Sequence, residues 1–189
     1  TVSGKGIPCT KMSTLTSTTS ASDGTQFNYC DEIPLPQLIG AKRNVKHTLA
    51  AIGDSITQGC QTEFMKYEFW ASKISTQLGS DVAFFNCGLG WARASDAAAN
   101  ESWLSRVSEY ATVIVAFGTN DIVSGKYGGK KSTAEEIEGY LDTIVSYLTE
   151  KGCDVILFNA PPQDFKEKNE AVRTALNEKI PAIAEKYGA

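Results

Sequence analysis

Alternating strands and helices predict an α/β fold, a three-layer α/β/α sandwich around a parallel sheet. Two observations carry this. Four short runs are almost wholly apolar, as strands buried on both faces are: Leu49-Ala50-Ala51-Ile52, Val82-Ala83-Phe84-Phe85, Val113-Ile114-Val115-Ala116-Phe117 and Val155-Ile156-Leu157-Phe158. Stretches with apolar residues at helical spacing follow each of them. At 189 residues the chain has room for one domain core plus an appendage, so residues 1–46 and 47–189 are read separately.

Residues 1–46 lack helical periodicity and are rich in Ser, Thr, Gly and Pro, with Thr/Ser-rich 12–20 and an extended Ile33-Pro34-Leu35-Pro36. The segment is expected to be β-rich or extended, the end of an accessory domain, with Phe27, Tyr29 and Leu38 packing on the domain that follows. A disordered linker is the alternative.

From 47 onward each element has its reason. A strand is expected over 48–52, ending at the break Gly53-Asp54-Ser55. A helix follows over 66–78, with Phe69, Trp70, Ile74 and Leu78 on one face. The strand from Val82 runs into glycine-rich Cys87-Gly88-Leu89-Gly90-Trp91, and a helix is expected over 95–110. The strand from Val113 ends at Gly118-Thr119-Asn120-Asp121. Thr133 then caps a helix with Glu135 and Glu136 in its first turn and an apolar stripe of Ile137, Leu141, Ile144, Val145 and Leu148. The strand over 155–158 reads as central in a sheet. The helix over 167–187 closes on Gly188, its apolar face formed by Val172, Leu176, Ile180, Ile183 and Ala184.

Charge narrows the partners. Eighteen basic against 22 acidic residues give a net charge of −4, with no basic cluster beyond Lys130-Lys131. This argues against nucleic acid and against an anionic membrane surface as partners. The five cysteines lack metal-ligand spacing. Cys87 and Cys153 read as small buried hydrophobes; Cys9 and Cys30 can pair only in a secreted protein, and an odd total weakens a disulfide framework. Compartment and oligomeric state stay open.

The chemistry sits at the strand ends, where ligands bind in open α/β sheets. Ser55 stands at a strand-to-helix turn, placed to offer its hydroxyl to a substrate and its N–H to an oxyanion. Gly-Asp-Ser taken alone is also an ordinary turn. The second block, ending in Asn120-Asp121, repeats the same grammar, and together the two resemble the SGNH (GDSL-type) hydrolase family. That resemblance covers roughly 35–189 and implies a flavodoxin-like strand order, with Ser55 as nucleophile and an oxyanion hole of the Ser55 N–H, a backbone N–H and the Asn120 amide. The family's Asn-x-Gly-x-x-Gly block matches at Asn86 and Gly88, but its last glycine falls on Trp91, with Gly90 one residue early. The backbone donor is therefore Gly90 or Trp91.

Other residues are weighed for substrate contact. Asp54 and Asp121 are candidates, although each can simply hold its turn. Arg93 can meet an anionic group, with a surface salt bridge as the commoner fate of such a residue. Trp91 is the aromatic best placed to touch substrate, whereas Trp70 and Trp103 read as core or rim. The loop 124–130 and the exit at Pro161-Pro162 are expected to border the cleft.

The resemblance also implies a histidine base in an Asp-x-x-His block, and here the sequence departs from it. Its one histidine, His47, lies eight positions before Ser55, about 20 Å away along a strand at ~3.3 Å per residue. His47 is thus read as a surface residue at the strand entry. The native protein is expected to continue past Ala189 by roughly 30 to 40 residues, with a fifth strand and the missing block. The expected activity is hydrolysis of short acyl esters, acetyl on carbohydrate above all, without metal or organic cofactor. A lipid esterase or thioesterase, and a non-catalytic binding module on a hydrolase scaffold, are the alternatives.

Overall fold

The computed structural model describes residues 44–60, 62, 68–123 and 130–189, together with the backbone of two short strands, β1 (Val2–Ser3) and β2 (Glu32–Ile33). The chain divides into two units, Thr1–Arg43 with Glu63–Tyr67, and Asn44–Thr62 with Glu68–Ala189. In the first, β1 pairs antiparallel with β2, Val2 opposite Ile33 and Ser3 opposite Glu32. The expectations placed on Phe27, Tyr29, Leu38, Cys9 and Cys30 lie outside the described residues.

The second unit holds four parallel strands, β3 (His47–Gly53), β4 (Val82–Gly88), β5 (Thr112–Ala116) and β6 (Asp154–Leu157), in the order β4-β3-β5-β6. This is the flavodoxin-like arrangement. The chain steps from β3 to β4 on one side and then crosses back to β5 on the other, so β3 is the topological switch point. Register brings three strand ends level there: Gly53 lies opposite Gly88 of β4 and Ala116 of β5.

Successive side chains of a strand point to opposite faces, and β3 shows why its sequence is apolar throughout. Ala50 and Ile52 enter a large core with Val113, Val115, Leu104 and Val107 and with residues of α6 (Ala134–Glu150) and α7 (Glu167–Tyr187). Leu49 and Ala51 face the other way, into a smaller cluster with Ile114, packed by Trp70, Ile74, Phe84 and Phe158. The expected apolar stripe of α6 is buried in full, and Leu176, Ile180 and Ile183 of α7 are buried with it. Thr133 closes a capping box at the start of α6: its Oγ1 accepts from Glu136 N–H at 3.2 Å, and Glu136 Oε2 accepts from Thr133 N–H at 2.8 Å. Gly188 ends α7 in the left-handed region, φ 71°.

Three elements differ from expectation. The first helix of this unit is the short α1 (Ser55–Gln58), and α2 begins at Trp70 and runs to Leu78, with Phe69 as its N-cap, rather than beginning at 66. Leu78, expected on the buried face of α2, is 42% exposed. The helix expected over 95–110 is two helices, α3 (Ala94–Ala98) and α4 (Glu101–Val107), because the Asn100 side chain accepts from Trp103 N–H at 3.1 Å and starts a new helix. Among the described residues β6 pairs with β5 alone, so it is an edge strand here rather than a central one, and Ile156 is 45% exposed. Cys153 is buried in the larger core, Cys87 is half-buried against it, and Cys60 is exposed. No helix among the described residues is long and apolar enough to cross a membrane.

Candidate active site

At the end of β3 the backbone turns sharply into α1, and Gly53 is what permits it. A Cβ there would lie 2.2 Å from Thr57 Oγ1 and 2.6 Å from the Ala116 carbonyl oxygen, so no larger residue fits. Asp54 is the N-cap of α1, buried, with Oδ1 accepting from Ile56 N–H at 2.8 Å. Ser55 is the first residue of the helix and half-buried. Its N–H belongs to the first helical turn and has no intrahelical acceptor. Gly59, at φ 96°, closes α1 after one turn. Thr57, which the sequence reading passed over, is buried with an Oγ1 that has no hydrogen-bond partner. Its only sequence signal is its spacing of four from Gly53.

The segment after β4 lies against this helix. Asn86 Nδ2 donates to the Thr57 carbonyl at 2.8 Å, Gly88 N–H donates to Asn86 Oδ1 at 2.9 Å, and Leu89 N–H donates to the Gly53 carbonyl at 2.9 Å. Trp91 is the one non-glycine with positive φ among the described residues, at 65°. The family pattern has glycine at this position, and the backbone keeps the left-handed turn although the residue is tryptophan. Trp91 is 44% exposed. Trp70 and Trp103 behave as rim and core aromatics, with ring centroids 5.1 Å from Phe158 and 5.7 Å from Phe117 respectively.

The third contribution comes from β5. Gly118, at φ 125°, turns the chain into α5 (Thr119–Val123). Asn120 is buried, and its Nδ2 donates to the Ala92 carbonyl at 2.9 Å. An amide nitrogen carries two N–H groups, and this bond uses one. Asp121 is fully buried; its Oδ2 accepts from Ala94 N–H at 2.9 Å and its Oδ1 from Ser95 N–H at 3.3 Å, which caps α3. Asp121 therefore holds a neighbouring helix.

Burial pushes the Asp54 carboxyl up to about 6, with a smaller push from the Asp121 charge, against the Ile56 N–H that favours ionisation. Burial raises Asp121 as well, opposed by the Ala94 and Ser95 N–H groups and by Arg93. Arg93 makes no ion pair among the described residues, contrary to the surface salt bridge weighed for it. Its Nη1 donates to the Lys130 carbonyl at 3.2 Å, and its Nη2 is buried without a partner. The guanidinium instead acts on Asp121 through its field.

Beside Asp54 and Ile56 a cavity of about 110 Å³ opens, lined mostly by apolar side chains including Trp70, Phe117, Phe158 and Pro161. Pro161 thus borders the cleft as expected, while residues 124–129 of the other expected loop lie outside the described residues. Gln163 Nε2 donates to Thr119 Oγ1 at 3.2 Å and fastens the loop after β6 to the Asn120 segment. His47 stands at the opposite end of β3 from Ser55, exposed, its Nε2 2.8 Å from Thr112 Oγ1. No group of side chains suited to hold a metal ion occurs among the described residues.

No curated protein sequence matches the chain. Its fold is similar to those of TesA (19% identity, TM-score 0.59, 75% of each chain covered) and AlinE4, a SGNH-hydrolase family esterase (22%, 0.58, 79% of this chain and 76% of that one). It is also similar to a variant of Axe2, an acetyl-xylooligosaccharide esterase from Geobacillus Stearmophilus (18%, 0.60, 77% and 75%). Residues 51–189, which span all three strand ends just described, match the model of the GDSL-like lipase/acylhydrolase family, and the chain belongs to that family.

Proposed function

We propose that this protein is a serine ester hydrolase that removes short acyl groups, acetyl above all, from carbohydrate through a covalent acyl-serine intermediate. The observation that carries the reading is a convergence at one sheet end. Ser55 starts a helix capped by Asp54, and the Asn120 amide is held against the Ala92 carbonyl of the neighbouring turn. Ser55 Oγ attacks the ester carbonyl, and the resulting oxyanion is met by the Ser55 N–H, the N–H of Gly90 or Trp91, and the free N–H of the Asn120 amide. Asp54 and Asp121 each accept from backbone N–H groups, which supports a role in holding these turns in place. Arg93 sits at the edge of the same cluster as the candidate for an anionic substituent. Water then clears the acyl-enzyme, a step that needs neither metal nor organic cofactor.

Family membership supports an acyl hydrolase, and the Axe2 likeness supports the choice of acetyl on carbohydrate. A general base has to stand within about 3 Å of the serine proton or act through one water, and the single histidine does not. The assay therefore supplies imidazole. Acetate release from acetylated xylooligosaccharides and from p-nitrophenyl acetate is expected to vanish with Ser55→Ala and to fall ~10²–10³-fold with Asn120→Ala. Release that Ser55→Ala leaves unchanged overturns the assignment. A series from acetyl to octanoyl esters checks the short-acyl preference.

A further inference from the structure

The end of β4 grips the turn from β3 into α1 at three points. Leu89 N–H reaches the Gly53 carbonyl, just before the helix, at 2.9 Å. A Cβ on Gly88 would lie 2.4 Å from the Gln58 nitrogen and 2.7 Å from the Thr57 carbonyl carbon, so two backbones meet there with no space for a side chain. Between these contacts Asn86 uses both ends of its carboxamide, donating to the Thr57 carbonyl at 2.8 Å and accepting from Gly88 N–H at 2.9 Å. Chemistry fixes this orientation, because a carbonyl only accepts and an N–H only donates. The Thr57 carbonyl is among those that a helix of one turn leaves without an intrahelical donor.

We infer, on the reading of Ser55 as nucleophile, that Asn86 is a positioning residue that sets the Ser55 N–H in register with the backbone N–H groups at 90–91. The two donors belong to different strand-to-helix connections, and nothing covalent keeps them together. Through Thr57, Asn86 holds the helix that begins with Ser55; through Gly88 it holds the start of the loop that carries the second donor. A misplacement of about 1 Å between reacting groups can cost ~10²-fold in rate. Loosening this clamp is therefore expected to slow the chemical step and leave binding nearly untouched.

The test uses diethyl p-nitrophenyl phosphate in imidazole buffer. Ser55 Oγ bonds to phosphorus, p-nitrophenolate leaves, and imidazole takes the serine proton. Saturating rate and half-saturating concentration are read separately, and the labelled residue is identified by mass. Wild type is expected to be labelled at Ser55. Asn86→Ala is expected to label roughly 10–100-fold more slowly at saturation, with its half-saturating concentration nearly unchanged. Asn86→Asp is expected to show the same loss near pH 8 and to recover as pH falls. A protonated carboxyl has the shape of the amide and can again donate to the Thr57 carbonyl while accepting from Gly88 N–H. Titrations shared with wild type, including those of Asp54 and Cys87 nearby, cancel in the ratio of the two proteins at each pH. Should Asn86→Asp not fold at pH 8, the uncharged Asn86→Ala decides the matter. Variants labelled at the wild-type rate, or an Asn86→Asp deficit that is flat with pH and tracks lost thermal stability, overturn the positioning role alone. A wild-type protein not labelled at Ser55 overturns the hydrolase reading, and this role with it.

Discussion

Asp54 does two things that pull against each other. Its carboxylate caps α1, and its burial makes the charge expensive, raising the carboxyl from 3.8 to about 6. The folded chain holds that proton more tightly than the unfolded chain. The penalty is thus absent below 3.8, grows between 3.8 and about 6, and is complete above that. At about 1.4 kcal/mol per pKa unit, a shift from 3.8 to about 6 opposes folding at pH 7 by about 3 kcal/mol. Asn keeps an oxygen for the Ile56 N–H and carries no charge. Asp54→Asn is expected to be more stable than wild type by roughly 1–3 kcal/mol at pH 7.5, with the difference gone near pH 4. Urea unfolding at the two pH values measures it, and a less stable Asn variant at pH 7.5 would show that the ionised cap outweighs its desolvation. Ser55, Asn86 and Asn120 drew notice at this scale through the resemblance of their blocks to the family's, since Gly-Asp-Ser alone is also an ordinary turn. Thr57 and the Ala92 carbonyl were not, since contacts made by a backbone oxygen or a threonine at i+4 leave no mark on composition.

Helices with explicit stop and start chemistry were the most readable elements. Thr133, with Glu135 and Glu136 in the turn that follows, announces the start of α6, and the structure closes a capping box there between Thr133 and Glu136. Thr133→Ala removes one bond of the box and is expected to cost about 1 kcal/mol. A lowered urea midpoint with unchanged m-value checks this, and an unchanged midpoint would mean that tertiary packing alone fixes the start of α6. The stretch from 95 to 110 was harder to read, because its apolar spacing continues across the break. Local hydrogen bonding by Asn100 outweighs periodicity, and α3 and α4 part there. At the other end of α3, the first-turn N–H groups of Ala94 and Ser95 lack intrahelical acceptors and take the Asp121 carboxylate.

Strand order is a property of the whole chain, and periodicity is blind to it. The alternation of strands and helices implied a parallel sheet, but only the family resemblance implied the order now seen as β4-β3-β5-β6. That order makes β3 the switch point and levels Gly53, Gly88 and Ala116, so it decides where a site can form. It also decides where one cannot. All strands of the sheet are parallel, so a residue at the start of β3 belongs to the end opposite the site, and His47 is such a residue. As the 189 residues include no other histidine, hydrolysis by this chain is expected to depend on an external base. Ser55-dependent acetate release should rise in proportion to added imidazole at fixed pH. His47→Gln, which alters a side chain bonded to Thr112 at the far end of the sheet, should leave that line unmoved in slope and intercept. Initial rates over a range of imidazole concentrations at constant ionic strength decide the point. A fast rate without imidazole that His47→Gln abolishes would place the imidazole of His47 at Ser55 and contradict the strand order itself.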